Sequence, residues 1–318
     1  MIIYYYCPDL NLPSGGVRTL YRHVDLLRKA GLDAKLLHNN PGFRCTWFQN
    51  DTVVEYVNSS SLEFSESDFI VLPEILGPQM TMFAPGIPKI VFNQNAYYTF
   101  NGYDFDLDGN PSPYASPDVK AVLVVSEDNY NYLKWVFPGI LLRRVVYSLN
   151  QKLFYYDSSQ KENLIAIMPR KGFPDALQIF NILKYRGTLR GWNVILIHDQ
   201  SEEDAAKMLR KSRIFLSMLY HEGCPFPPME AMACGCHVIG YSGRGGDEYF
   251  TEQVCRKLEP GDVCGVARAI EELIEISDSD PCRTKKQSVD ASQAILAKYS
   301  VENERTQLLA FWEEMIAR

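Results

Sequence analysis

Short β-branched or aromatic runs alternate with segments of helical period along nearly the whole chain, and this alternation constrains the fold more than any other feature. Parallel strands need a crossover, usually a helix, so such a pattern implies parallel sheets covered on both faces. Residues 2–7 read as the first strand, followed by the turn-rich 8–16. Val17, Leu20, Val24 and Leu27 then recur at helical spacing, Gly31 closes the helix, and residues 34–38 form the next strand. Further strands are expected at 52–57, 69–72, 89–93, 121–126 and 144–148. The stretch 97–117, rich in Asn, Asp, Gly, Pro and aromatics, interrupts the rhythm as a long surface loop.

The rhythm restarts after Asn150, with strands at 164–168, 193–198, 214–218 and 237–241 and helices at 175–185, 202–211 and 227–233. A polar break at 277–281 precedes two terminal helices, the last with Leu308, Leu309, Trp312 and Ile316 on one side. A chain of 318 residues outgrows one hydrophobic core. Two α/β domains are therefore expected, 1–150 and 151–298, followed by a helix over 299–318 that crosses back to the first.

Charge narrows the partners. The net charge of −7 is evenly spread, with 11 basic against 15 acidic side chains in residues 1–150 and 21 against 24 in the rest, which disfavours nucleic acid. Residues 1–7 lack the basic flank and apolar length of a signal peptide, and no run reaches membrane-spanning length. A cytoplasmic protein with no evident membrane association is the expectation. The eight cysteines are scattered, without zinc or redox spacing, and read as reduced thiols.

The chemistry concentrates in His221-Glu222-Gly223-Cys224-Pro225-Phe226-Pro227-Pro228-Met229-Glu230-Ala231-Met232-Ala233-Cys234-Gly235. The segment follows an apolar strand, and Pro227 and Pro228 suit a first helical turn. Glu222 is then expected in a loop at the carboxyl edge of the sheet and Glu230 one turn inside the helix, where α/β sheets bind ligands. Carboxylates accept sugar hydroxyls, and a helix N-terminus attracts a diphosphate. Taken singly, Glu222 reads as a solvated loop residue and Glu230 as a first-turn glutamate that complements the helix dipole.

Together they resemble the Glu-x7-Glu signature of the retaining glycosyltransferases of GT-B fold, a match that continues through Glu230-Ala231-Met232-Ala233-Cys234-Gly235 into residues 237–240. The resemblance implies two Rossmann-like doubly wound domains facing across a cleft, with Glu222 on the donor sugar and Glu230 on the ribose hydroxyls. Gly223, Cys224 and Phe226 lie beside them. It also raises Gly15-Gly16 with Arg18, otherwise a plain turn, to a place near the phosphates and acceptor. Arg170 and Lys171, after the first strand of the second domain, can meet a diphosphate leaving group. The family separates such a pair by several residues, whereas here they are adjacent.

Residues 243–248, Gly-Arg-Gly-Gly-Asp-Glu, stand where the family carries a Gly-Gly loop, and read equally well as a flexible turn. His23 and His221 read as packing or hydrogen-bonding residues rather than catalysts. The family's N-domain histidine has no counterpart in Phe92-Asn93-Gln94-Asn95. Asp104, Asp106 and Asp108 fail as a calcium loop, because Ala115 stands at the twelfth position.

The resemblance thus implies transfer from a nucleotide diphosphate sugar to a hydroxyl acceptor, whether a growing polysaccharide, a lipid-linked sugar or a small molecule, with retention and with neither metal nor separate cofactor. Two rivals share the architecture: an epimerase or hydrolase of nucleotide sugars, and a non-catalytic sugar-nucleotide-binding subunit.

Overall fold

Among the described residues every strand pairing is parallel, as repeated crossovers require. The structure, a computed structural model, describes residues 1–105, 112–251 and 255–318. It divides into two units, Met1–Tyr147 with Glu302–Arg318, and Ser148–Val301.

The first unit holds β1 (Ile3–Tyr6), α1 (Gly15–Lys29), β2 (Ala34–His38), β3 (Val54–Tyr56), β4 (Phe69–Pro73), β5 (Lys89–Asn93), β6 (Val119–Val124), α2 (Glu127–Val136) and β7 (Leu142–Arg144). Its sheet order is β3-β2-β1-β4-β5-β6-β7. The winding reverses between β1 and β4, so the loops after those strands diverge and leave a crevice at the carboxyl edge. Tyr4, Tyr6, Leu37, Ile70, Leu72, Val91, Val122 and Val124 fill one core layer. The expected strand at 144–148 lies earlier, as β7. Val145, Val146 and Tyr147 are buried outside the sheet, and this burial accounts for their apolar character.

The second unit holds β8 (Glu162–Ile167), α3 (Phe173–Arg186), β9 (Asn193–Leu196), α4 (Glu202–Lys211), β10 (Ser212–Glu222), α5 (Phe226–Ala233), β11 (His237–Arg244), β12 (Cys255–Lys257), α6 (Val263–Ser279) and α7 (Pro281–Lys298). The order β12-β11-β10-β8-β9 reverses between β8 and β10. Ile165, Ile167, Ile214, Leu216, Ile239 and Tyr241 pack against Ile179 and Leu183 of α3 and Ile270 and Ile274 of α6. The polar break at 277–281 is narrower than expected, since Asp280 both ends α6 and caps α7 by accepting from Arg283 N–H at 3.0 Å.

The last helix, α8 (Val301–Ala317), belongs almost wholly to the first unit. Its buried face is Glu304, Leu308, Phe311, Trp312 and Met315, whereas Ile316 is exposed. The sequence-based stripe was rotated because it counted only apolar residues and passed over Glu304. That carboxylate is fully buried against Arg22, at 2.6 and 2.9 Å, and His23 Nε2, at 3.4 Å.

Candidate active site

The switch point of the second sheet brings together side chains from the loop after β8 and the end of β10. Lys171 donates to the Glu222 carboxylate; both are partly open to solvent, at 35% and 19% side-chain exposure. Arg170, its neighbour, is exposed and has no side-chain partner among the described residues. Sequence reasoning put Glu222 in a loop. It is instead the last residue of β10, paired with Arg244 of β11 beyond a register shift after Leu219. The extra pairing fixes the backbone of a residue that a loop would have left mobile.

Two further contacts lock this corner. The Glu222 carbonyl accepts from Gly245 N–H at 3.1 Å, and a Cβ on Gly245 would lie 1.9 Å from the Gly223 carbonyl oxygen, so only glycine permits the approach. The 243–248 segment is thereby tied to the Glu-x7-Glu segment. Asp175, in the first turn of α3, accepts from Tyr220 at 2.6 Å and from Tyr241 at 3.1 Å, bracing the ends of β10 and β11. Sequence reasoning missed Asp175 and Tyr220. A lone aspartate at the start of a helix gives no signal of a tyrosine forty-five residues away.

Glu230 lies inside α5, 8% exposed, and Cys224 and Phe226 are buried at its entrance. Two of the first four N–H groups of α5 are missing, because Pro227 and Pro228 occupy those positions. The helix end therefore offers an anion fewer amides than expected.

In the first unit, Gly15 and Gly16 are the first two residues of α1, not a loop before it. Ser14 caps the helix, and Arg18 is half-buried in its first turn. Residues Asp106 to Gly109 of the aspartate loop lie outside the described residues. Among the described residues no group of three or more His, Cys, Asp or Glu side chains could hold a metal ion, and no helix is long and apolar enough to cross a membrane. All eight cysteines are free thiols.

Two Rossmann-like units, the second with paired charges at its switch point, constitute the GT-B architecture. A family model for glycosyl transferases group 1 matches residues 169–288, which include Arg170, Lys171, Glu222 and Glu230. The second unit is thus of the glycosyl transferases group 1 type, and the chain is a glycosyltransferase.

Among characterised proteins it is similar to an alpha-1,6-glucosyltransferase of Actinobacillus pleuropneumoniae serotype 7 (strain AP76), 28% identical over 254 residues that span 75% of this chain and 72% of the relative. Two solved structures share the fold. Sucrose-phosphate synthase from Thermosynechococcus elongatus aligns with a TM-score of 0.73 at 14% identity, over 99% of each chain. Anabaena Alr3699/HepE, in complex with UDP-glucose, aligns at 0.67 and 12% identity, over 99% of this chain and 100% of that one.

Proposed function

We propose that the chain moves a hexosyl group from a nucleoside diphosphate sugar to a hydroxyl of a growing glycan or lipid-linked sugar, with retention of configuration and without a metal. The observation that carries this reading is the Lys171–Glu222 contact at the switch point, eight residues before Glu230 and beside the exposed Arg170. Glu230 binds the ribose hydroxyls, Glu222 the donor sugar, and the two cations meet the diphosphate. Charge that gathers on the leaving group is stabilised by groups already in place, the usual source of the largest catalytic term.

In the step itself the bond from the anomeric carbon to the phosphate oxygen breaks and a bond to the acceptor oxygen forms on the same face. The acceptor proton passes to the departing phosphate, so no protein base is needed. The relative that acts as a glucosyltransferase and the UDP-glucose held by Alr3699/HepE make UDP-glucose the first donor to try. Six of the eight cysteines are buried free thiols, which fits the cytoplasm, the compartment we assign.

Glu222→Ala tests the assignment. Its turnover of UDP-glucose should fall by more than its affinity for UDP, because the contact strengthens as the transition state forms. Equal losses would mean that the corner had collapsed instead.

A further inference from the structure

The first unit has its own switch point, between β1 and β4, with a polar cluster that the donor chemistry does not use. Glu74 directly follows β4, is 3% exposed, and accepts from Asn95 N–H at 2.9 Å through one carboxyl oxygen, while Oε2 has no partner. A half-satisfied buried carboxyl costs stability, so its retention calls for a compensating role. Burial pushes its pKa up to about 7, against the pull of the Gln94, Glu74 and Asn95 backbone amides, and Tyr114 is the titratable group whose charge senses it.

The turn that Glu74 grips is otherwise rigid. Asn93 donates to Thr99 at 2.9 Å and to Tyr114 at 2.8 Å, and Asn129 accepts from Ala96 N–H at 3.3 Å. From Lys89 to Ala96, Gln94 is the one residue that is not buried. Its Oε1 accepts from the Tyr147 hydroxyl at 2.8 Å, and its Nε2 has no hydrogen-bond partner among the described residues. The amide also lies against the first turn of α1: a Cβ on Gly16 would stand 3.0 Å from Gln94 Oε1 and 3.2 Å from Nε2. A donor held on three sides, half-open at the crevice of a parallel sheet, is what recognition of a neutral hydroxyl requires.

We propose that Gln94 Nε2 donates to a hydroxyl oxygen of the acceptor sugar, and that Glu74 is a positioning residue that holds the Gln94–Asn95 turn for this contact. The inference rests on the reading of the chain as a transferase to hydroxyl acceptors, and places the acceptor's recognition in the first unit.

The test uses the full chain with UDP-glucose as donor and methyl α-glucoside as acceptor, in Gln94→Ala, Glu74→Ala, Glu74→Gln and the Glu74→Ala, Gln94→Ala double variant. One neutral hydrogen bond corresponds to roughly a three- to tenfold change. Gln94→Ala should raise the acceptor KM by about that factor with a smaller change in kcat, and so should Glu74→Ala. The double variant should be no worse than Gln94→Ala, and Glu74→Gln, which keeps a carbonyl for Asn95 N–H, should recover most of the loss. Multiplying effects, or losses confined to kcat, overturn the proposal.

Hydrogen exchange supplies a readout that needs no turnover. The Asn95 amide should exchange about tenfold faster in Glu74→Ala while β5 stays protected, and unchanged exchange would remove the brace. A parent that turns over no UDP-glucose would count against the donor assignment, with the exchange result still deciding the role of Glu74.

Discussion

Two of the glutamates held by basic side chains have sharply different surroundings. Glu304 on α8 is fully buried with Arg22 and His23, whereas Glu222 at the end of β10 keeps solvent access alongside Lys171. Burial raises the Glu304 pKa, but Arg22 and His23 outweigh it and hold the carboxyl down at about 2. Burial in turn lowers the His23 pKa, so Arg22 is the counter-charge at neutral pH. The first site commits its charges to docking a helix, together with the Trp312 Nε1 to Tyr5 hydroxyl bond at 3.2 Å. The second keeps its charges open to solvent, as the proposed exchange for a ligand's hydroxyls and phosphates requires. Access, rather than pairing itself, separates the structural site from the chemical one.

The largest expected effect lies at the open site. Arg170→Ala with Lys171→Ala should lower turnover by about two to four powers of ten with little change in Tm, because electrostatic stabilisation of the leaving diphosphate is lost from an exposed corner. Initial rates with excess chelator decide the rest: the parent should keep its rate. Abolition by chelator, or near-parent rates in the double variant, would return the charge to a metal.

At the closed site the effect should be on stability. Glu304→Ala leaves Arg22, whose side chain is 20% exposed, without its counter-charge and should cost about 3 kcal/mol in denaturant unfolding, the low end for a broken buried pair. Two linked titrations follow. The folded pKa of His23 lies below its unfolded value, so its contribution is complete above about pH 6.5 and falls as the solution is acidified. The folded pKa of Glu304 is also depressed, so its contribution is present above about pH 4.5 and is lost as pH falls towards 2. Acid unfolding of the parent should therefore be steeper than that of Glu304→Ala; superimposable curves would contradict the assignment.

The smallest effect belongs to Glu314, on the same helix. It pairs with Arg143 at 2.7 Å, but their side chains are 28% and 42% exposed. Glu314→Ala should leave Tm nearly unchanged, since exposed pairs contribute little. A shift as large as that of Glu304→Ala would mean that pairing, and not burial, sets the difference.

Much of this was legible in the sequence. The strands at 34–38 and 89–93, and the helix at 202–211, coincide with their expected bounds because local period and tertiary burial agree there. β12, three residues long, and α6 were not foreseen. α2 escaped because it buries little more than Asn129 and Leu133 and leaves Trp135 exposed, so its apolar residues keep no period. Within the candidate site the residue types and spacing could be read, but the Lys171–Glu222 contact and the Asp175 brace could not. These depend on where the winding of the sheet reverses, which no local pattern encodes. Glu74 was invisible for the opposite reason: a glutamate just past a strand reads as solvated, and its burial is decided by the turn 21 residues later.

The account stands on the donor site centred on Glu222 and Glu230. Its most direct test is calorimetric titration of UDP into the parent and into Glu230→Ala, with Tm checked for both. Loss of one charge-assisted hydrogen bond to a ribose hydroxyl corresponds to roughly 1.5–3 kcal/mol, so Glu230→Ala should bind UDP about ten- to 150-fold more weakly while remaining folded. A folded Glu230→Ala that binds UDP as tightly as the parent would contradict it.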